Sequence, residues 1–540
     1  MRPTFSVHDV RLAEAELLQY QRHEDELMRL AAQAVASAAH TMVGACPARA
    51  LILAGPGGNG GDGLYAGAYL QESGVSADAL LVAGDAHESA LRYWHNAGGT
   101  LIKDALEVDF SAYDLVIDAV AGLNSSRGLN AELARALHSY SGQVLAVDMP
   151  TGVHGETGFV SENAVRADVT ITFGWPRSGH AVAAECGLLV VSDLRLPAGP
   201  VSFAEHLSAN FQPTGYIAYE PTLNSPYDWP AAPLREGASG VVTAPKPVGC
   251  TGPIVDPTPG IDADKYSGGV VALCAGNATF PGAGYLALAG AINASPSMVR
   301  MVRAPEGHNL AHLVSSFPEA VFHHDVRSTG RAQAWVHGPG RGTAARAAHE
   351  LSQVLNHQTA VVLDADAITL LADSPDLRQQ VKKHPFVVLT PHGGEFTRLY
   401  EATFGYSPNL ESGRGANQHM LADELDCYIL HKGRITTVTA PGAGIYGFNA
   451  GHSYAATAGS GDVLSGILGA VLAQIPWEEA GDLAGIDKQL IISEILHAAA
   501  IHQHAAAIAA RTPAGMGIAR ARDIARCVPE AIARLLVMER

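Results

Sequence analysis

The group of residues with the most chemical content is Gly459-Ser460-Gly461-Asp462, at the centre of residues 449–466. Two glycines let the backbone turn tightly with its amides exposed. The apolar positions that follow (Val463, Leu464, Ile467, Leu468, Val471, Leu472) repeat as they do on a helix. Free amides at a helix N-terminus make an anion site, and Asp462 opens that helix, where a carboxylate suits the positive end of the dipole. A carboxylate beside an anion hole equips a general base that deprotonates a hydroxyl while the loop holds a transferring phosphoryl group. The same residues also fit an Asp N-cap after a flexible turn, so the rest of the chain has to decide between the two.

A second set lies in the first half. Gly55-Pro-Gly-Gly-Asn-Gly-Gly-Asp-Gly63 follows the apolar run 50–54, and Gly55, Gly57 and Gly60 formally satisfy G-x-G-x-x-G. That match alone is weak evidence for dinucleotide binding. The embedded Asn59 and Asp62 add two polar side chains at a strand end, and Asp118 and Asp148 each close another apolar strand, where α/β folds place their sites. Oxygen atoms of Asn59, Asp118 and Thr151 suit a hard cation. No G-x(4)-G-K-[ST], no H-E-x-x-H and no spaced Cys/His set occurs, which disfavours a P-loop NTPase or a zinc enzyme. His497, His502 and His504 fall on one late helix and read as packed or solvated histidines rather than ligands.

The elements that must position these residues are strands alternating with helices. In the first half, runs at 50–54, 79–83, 113–118, 143–147, 169–173 and 188–192 predict a mostly parallel sheet, with a helix from 64 to 72 after the first glycine loop. In the second half, runs at 269–275, 334–336, 360–363, 386–389 and 426–430 each end in a glycine- or polar-rich loop, predicting another mostly parallel sheet with helices on both faces. The chain of 540 residues is too long for one core, and its 47% apolar content supplies two. The expected division is a first domain at 1–212, a Pro/Gly/Ser/Thr-rich linker and arm at 213–262, and a second domain at 263–540. With 35 basic and 53 acidic residues the formal charge is −18, which argues against nucleic acid or an anionic membrane as a bulk partner. Six scattered cysteines without a CxxC pair, no apolar leader and no run of eighteen apolar residues predict a soluble cytoplasmic protein with reduced thiols.

The motifs of the first half, at 55–63, 118–128 and 148–152, resemble those of the NAD(P)H-hydrate epimerase family. The resemblance covers roughly residues 1–210 and implies a Rossmann-like domain. It implies that Gly58, Asn59, Gly60, Gly61, Asp62, Gly122, Leu123, Asn124, Ser125, Ser126, Arg127, Gly128 and Asp148 contact the hydrated dinucleotide. Asn59, Asp118 and Thr151 would bind K+, and Asp148 would be the acid/base at the epimerising carbon. Arg177 stands where a Lys is common in that family.

Over about 260–530, the set Lys265-Tyr-Ser, Gly338-Pro-Gly, Asp364-Ala-Asp-Ala, Thr390-Pro-His-Gly-Gly-Glu, Lys432-Gly and Ala458-Gly-Ser-Gly-Asp462 resembles the ADP- or ATP-dependent NAD(P)H-hydrate dehydratase family. That resemblance implies a ribokinase-like α/β fold. Ala283, Gly340, His392 and Asp462 would line the hydrate. Lys432, Gly433, Arg434, Ile435, Thr436 and Gly461 would bind the nucleotide, with Mg2+ on its phosphates. Arg341, where an apolar residue is usual, is expected to affect loop shape. Together the two halves imply repair of NADH and NADPH hydrates, by epimerisation and then nucleotide-dependent dehydration, in a homo-oligomer. The choices of ADP or ATP and of NADH or NADPH hydrate stay open. The competing reading is a ribokinase-like small-molecule kinase with an inactive dinucleotide-binding module.

Overall fold

In a computed structural model, residues 1–44, 47–122, 127–219, 240–243, 256–295, 297–304, 310–475 and 487–539 are described. Their apolar runs fold as two large sheets. In the first, the order is Gly240–Thr243, Leu188–Leu194, Val169–Phe173, Gln143–Val147, Leu115–Ala119, Arg49–Ala54, Ser76–Leu81 and Thr100–Ile102. Every pairing is parallel except that of the outermost strand Gly240–Thr243. The strand order reverses between Arg49–Ala54 and Leu115–Ala119, so the loops at 55–63 and 119–122 open on one crevice, the usual ligand position in such sheets.

The second sheet has eleven strands. From Tyr428–His431 through Val387–Leu389, Ala360–Leu363, Ala334–His337, Val271–Cys274 and Val299–Val302 to Val321–His323 it is parallel. Thr436–Thr439 then runs antiparallel. Its order reverses between Val271–Cys274 and Ala334–His337, which brings the loops carrying Ala283 and Gly340 together. Alternation along each strand divides its side chains between two cores. Val271 and Leu273 enter the core of the helices Pro281–Ala294, Ser460–Ala473 and Lys488–Ala509, while Ala272 and Cys274 enter the one beneath the helices of residues 345–425.

Three features depart from the sequence expectations. The helix expected from 64 begins at Gly58, so the glycine loop itself forms the first turn of Gly58–Glu72. Asp462 is not an N-cap: Gly459, at φ +82°, takes that place, and Asp462 lies in the first turn of Ser460–Ala473. A left-handed cap favours glycine, which has no Cβ to clash there. Finally, pairing crosses the expected domain boundaries. Arg2–Thr4 pairs with Gly215–Tyr219, which joins the second sheet beside Ile445–Asn449, whereas Gly240–Thr243 closes the first sheet. Residues 220–239 and 244–255 lie outside the described residues. The seam is tied further by Asn449 Nδ2 donating to Gly187 O (3.2 Å) and by the Ser178 and Thr214 hydroxyls (2.7 Å).

Candidate active sites

The first site is a cavity of about 480 Å³ at the switch point of the first sheet. Of the expected substrate residues, Gly58, Asn59, Asp62, Gly122 and Asp148 line it. Gly60 and Gly61 are buried in the helix turn behind. Arg127 is exposed, and Gly128 packs against the backbone of Asn163. Leu123, Asn124, Ser125 and Ser126 lie outside the described residues.

Asp148 follows directly on the strand Gln143–Val147 and has φ +64°, a conformation that costs a non-glycine residue about 1 kcal/mol or more. Its surroundings hold it there. Its amide donates to Ile171 O (2.7 Å), and its carbonyl accepts from His180 Nε2 (2.8 Å). His180 Nδ1 accepts from the Arg177 amide (2.9 Å), so the ring proton belongs on Nε2. Burial, then Arg177, pushes His180 down to about 4, which keeps the ring neutral. The Asp148 carboxylate is anchored by Oδ1 alone, to the Thr172 hydroxyl (2.8 Å) and Arg177 Nη2 (3.2 Å). Oδ2 has no hydrogen-bond donor among the described residues. Arg177 is itself buried, and that burial lowers its pKa against the pull of Asp148. Burial also pushes Asp62 well above the carboxylate range, with Glu14 and Asp148 adding to it. Glu14, on the helix Val7–Leu18 over the cavity, is raised by desolvation and then by Asp148.

The three expected cation ligands do converge. Thr151 donates to Asp118 twice, from its amide (2.7 Å) and its hydroxyl (2.6 Å). Its hydroxyl accepts from the Ala121 amide (3.2 Å), while Asn59 Nδ2 donates to Ala121 O (3.0 Å). Asp118 is fully buried, and burial raises it to about 6 although Thr151 and Val120 donate to it. Among the described residues no cationic side chain pairs with it, and its neighbours offer the oxygen donors that hard cations take.

The second site gathers the expected residues from five loops. Gly340 and Ala283 are in contact: a Cβ on Gly340 would stand 2.6 Å from that of Ala283. Lys432, after the strand Tyr428–His431, puts Nζ 2.7 Å from Asp364 Oδ1 and 4.0 Å from Glu395 Oε2. Asp364 Oδ2 accepts from the Ser465 hydroxyl (2.6 Å), one turn beyond Asp462. Burial pulls the Lys432 ammonium down, but Asp364 and Glu395 outweigh it and leave its pKa raised. Asp462 is pushed up to about 7, by burial first and then by Asp364, against Lys432. His392 caps the helix Gly393–Phe404 by accepting from the Gly394 amide (3.0 Å), and Glu395 returns a bond to the His392 amide (2.9 Å). Gly461 lies beside Lys432 Nζ. Gly433 and Arg434 continue the turn, whereas the side chains of Ile435 and Thr436 are buried.

Arg341 does shape a loop. It grips Glu350 with two bonds (2.7 and 2.6 Å) and donates to the carbonyls of Gly276, Val302 and Arg303. Against burial, His337 and Arg341 draw Glu350 down to about 2. The late histidines are buried as packed groups, but His502 has a further contact, its Nε2 lying 2.8 Å from the Ser460 hydroxyl of the Gly-Ser-Gly-Asp turn. His180, Glu14, Ser465 and His502 were not singled out in sequence as site residues. Only Ser465 carried a signal, at one turn from Asp462.

Fold and sites define a two-site α/β enzyme with a cluster of acidic groups at each site. Residues 24–179 match the family model of the YjeF-related protein N-terminus, and residues 271–524 that of NAD(P)H-hydrate dehydratase. The chain is 38% identical to the bifunctional NAD(P)H-hydrate repair enzyme Nnr of Corynebacterium glutamicum, over 99% of each chain. It is 36% identical to the enzyme of the same name from Mycobacterium tuberculosis, over 89% of this chain and 91% of the relative. Among solved structures, a ribokinase-like superfamily protein of Enterococcus faecalis aligns with 52% of this chain and 94% of its own, at 24% identity and a TM-score of 0.43. The chain belongs to the family of bifunctional NAD(P)H-hydrate repair enzymes.

Proposed function

We propose that this chain repairs hydrated NADH and NADPH, interconverting the R and S hydrates at the Asp148 site and dehydrating the S hydrate at the Asp462 site with ADP or ATP. The observation that carries the proposal is the Asp462 carboxylate, raised to about 7 in the first turn of a helix whose glycine cap leaves amides open. Such a group is half ionised near neutrality and so is matched to general-base work there. Asp462 takes the proton of the ring hydroxyl as its oxygen accepts the nucleotide's terminal phosphoryl group. The carbon–oxygen bond then breaks, phosphate leaves, and loss of a proton from the adjacent carbon restores the dihydronicotinamide double bond. Ala283, Gly340 and His392 shape the hydrate's side of the site, and the turn from Lys432 through Gly433, Arg434 and the Ile435 and Thr436 backbone, with Gly461, receives the nucleotide. Mg2+ on the nucleotide's phosphates would supply charge neutralisation on the phosphoryl oxygens.

At the other site Asp148 lines the cavity, and its Oδ2, left without a donor among the described residues, serves as the acid/base that opens and recloses the hydrate. Arg177 and Thr172 fix its orientation through Oδ1. Asp118, Thr151 and Asn59 would hold K+, a fixed positive charge beside the dinucleotide. The buried thiols Cys186, Cys274 and Cys427 support a reducing, cytoplasmic setting. No helix among the described residues is long and apolar enough to cross a membrane.

The test supplies each hydrate epimer with ADP or ATP and follows the absorbance of restored dihydronicotinamide together with free phosphate. Asp462→Ala should abolish S-hydrate turnover, and Asp148→Ala should strand the R hydrate. Undiminished turnover in either variant removes the corresponding assignment. A stable phosphorylated product in place of free phosphate would point to a kinase.

A further inference from the structure

The turn 431–435 is built on one guanidinium that belongs to neither sheet's loops. Arg414 is the second residue of the helix Gly413–Leu425. Its Nη2 donates to His431 O (2.7 Å) and Lys432 O (3.3 Å), its Nη1 to Ile435 O (2.8 Å), and its Nε to His431 Nδ1 (3.1 Å). The plane lies directly under Gly433, where a Cβ would come within 3.0 Å of Nη1. One rigid fork therefore closes the whole turn from beneath, meeting four acceptors that a lysine ammonium cannot span in that plane. His431 suits this partner. Its ring is stacked on Phe396 at 4.6 Å, and burial followed by Arg414 holds its pKa well below the ordinary range, so Nδ1 stays an acceptor.

The base of the fork is fixed as well. Gly413 has φ +79°, and a Cβ there would stand 2.1 Å from Thr157 O, in the loop that follows Asp148. The start of this helix is thus pressed against the first half of the chain, and only glycine allows so close an approach.

We infer that Arg414 is a positioning residue for nucleotide use: it sets the turn from which Lys432 reaches Asp364 and the phosphates, without touching the nucleotide itself. This rests on the dehydratase reading of the second site. The full-length chain carries its own control, because all four acceptors of the Arg414 guanidinium lie in the turn 431–435 and none at the epimerase site. Arg414→Lys is expected to raise the KM for ADP or ATP about 30-fold, the effect of losing charge-assisted bonds to the turn. The kcat at saturating nucleotide should change far less, and the epimerisation rate should not change. In Arg414→Ala, millimolar guanidinium should restore part of the nucleotide affinity. An unchanged nucleotide KM in Arg414→Lys would overturn the inference, as would a parallel fall of both activities. If the unaltered chain shows no nucleotide-dependent turnover, the dehydratase reading itself fails, before any variant is made.

Discussion

Asp148 and Asp462 both stand at the open end of a sheet among acidic neighbours, yet among the described residues only Asp148 is bonded to a cationic side chain. Asp148 is bonded to a buried arginine and held on a left-handed backbone by Ile171 and His180. Asp462 has acidic neighbours in Asp364, Asp366 and Glu395, and the nearby ammonium of Lys432 is 2.7 Å from Asp364 instead. On the proposed reading, the first carboxylate is fixed in place by its bonds, while the second is left without a bonded cation because Lys432 pairs with Asp364.

This contrast can be broken from either side. The largest effect is expected from Arg177→Met, which leaves Asp148 without its charge partner. Epimerisation should fall by roughly 10³-fold, in the range found when a catalytic acid/base loses its setting, while turnover of pure S hydrate stays unchanged. Chiral separation of the two hydrates over time measures the first quantity. Lys432→Met should lower nucleotide-dependent turnover by roughly 10²-fold, as loss of one transition-state donor does, and leave epimerisation intact. Steady-state assays of both activities on one preparation check this.

The pH profile sharpens the comparison further. With Asp462 at about 7, kcat/KM for S hydrate should rise about tenfold between pH 6 and 8 as the base ionises. A flat profile there would remove Asp462 as the titrating group. The smallest effect is on stability. Asp462 is raised above the ordinary carboxylate value of 3.8, so the folded chain holds its proton where the unfolded chain has lost it. Its charge therefore weakens the fold progressively from about pH 4 to 7 and fully above that. Asp462→Asn should raise Tm by a few degrees at pH 8.5 and leave it unchanged at pH 4, in paired thermal melts. A thermal shift with K+ but not Li+, lost in Asp118→Asn, would test the cation site in the same format.

Much of this was legible in sequence because it is written locally. Apolar runs such as 143–147, 169–173 and 360–363 coincide with strands, Asn59 and Asp148 line one cavity, and Lys432 lies beside Gly461 in the second half. What escaped was written in contacts between distant segments. Arg177 could be seen as a replacement for lysine, but that its guanidinium lies against Asp148 depends on packing between adjacent strands. His180 and His502 have no motif around them; each matters through a single bond to a loop remote in sequence. The segments 215–219 and 240–243 lie in or beside a Pro- and Gly-rich region with no sustained period. Strands added at a sheet edge pair through backbone groups, which leave little trace in side-chain pattern.

The crossed strands also govern how this chain could be divided. Gly215–Tyr219 belongs to the second sheet, whereas Gly240–Thr243, further along, belongs to the first. No single cut gives both fragments a complete sheet. A break before 215 takes the closing strand from the first, and a break after 243 strips the second of the neighbour of Ile445–Asn449, baring a row of backbone donors and acceptors that invites aggregation. Two separately expressed polypeptides would each need a redesigned border.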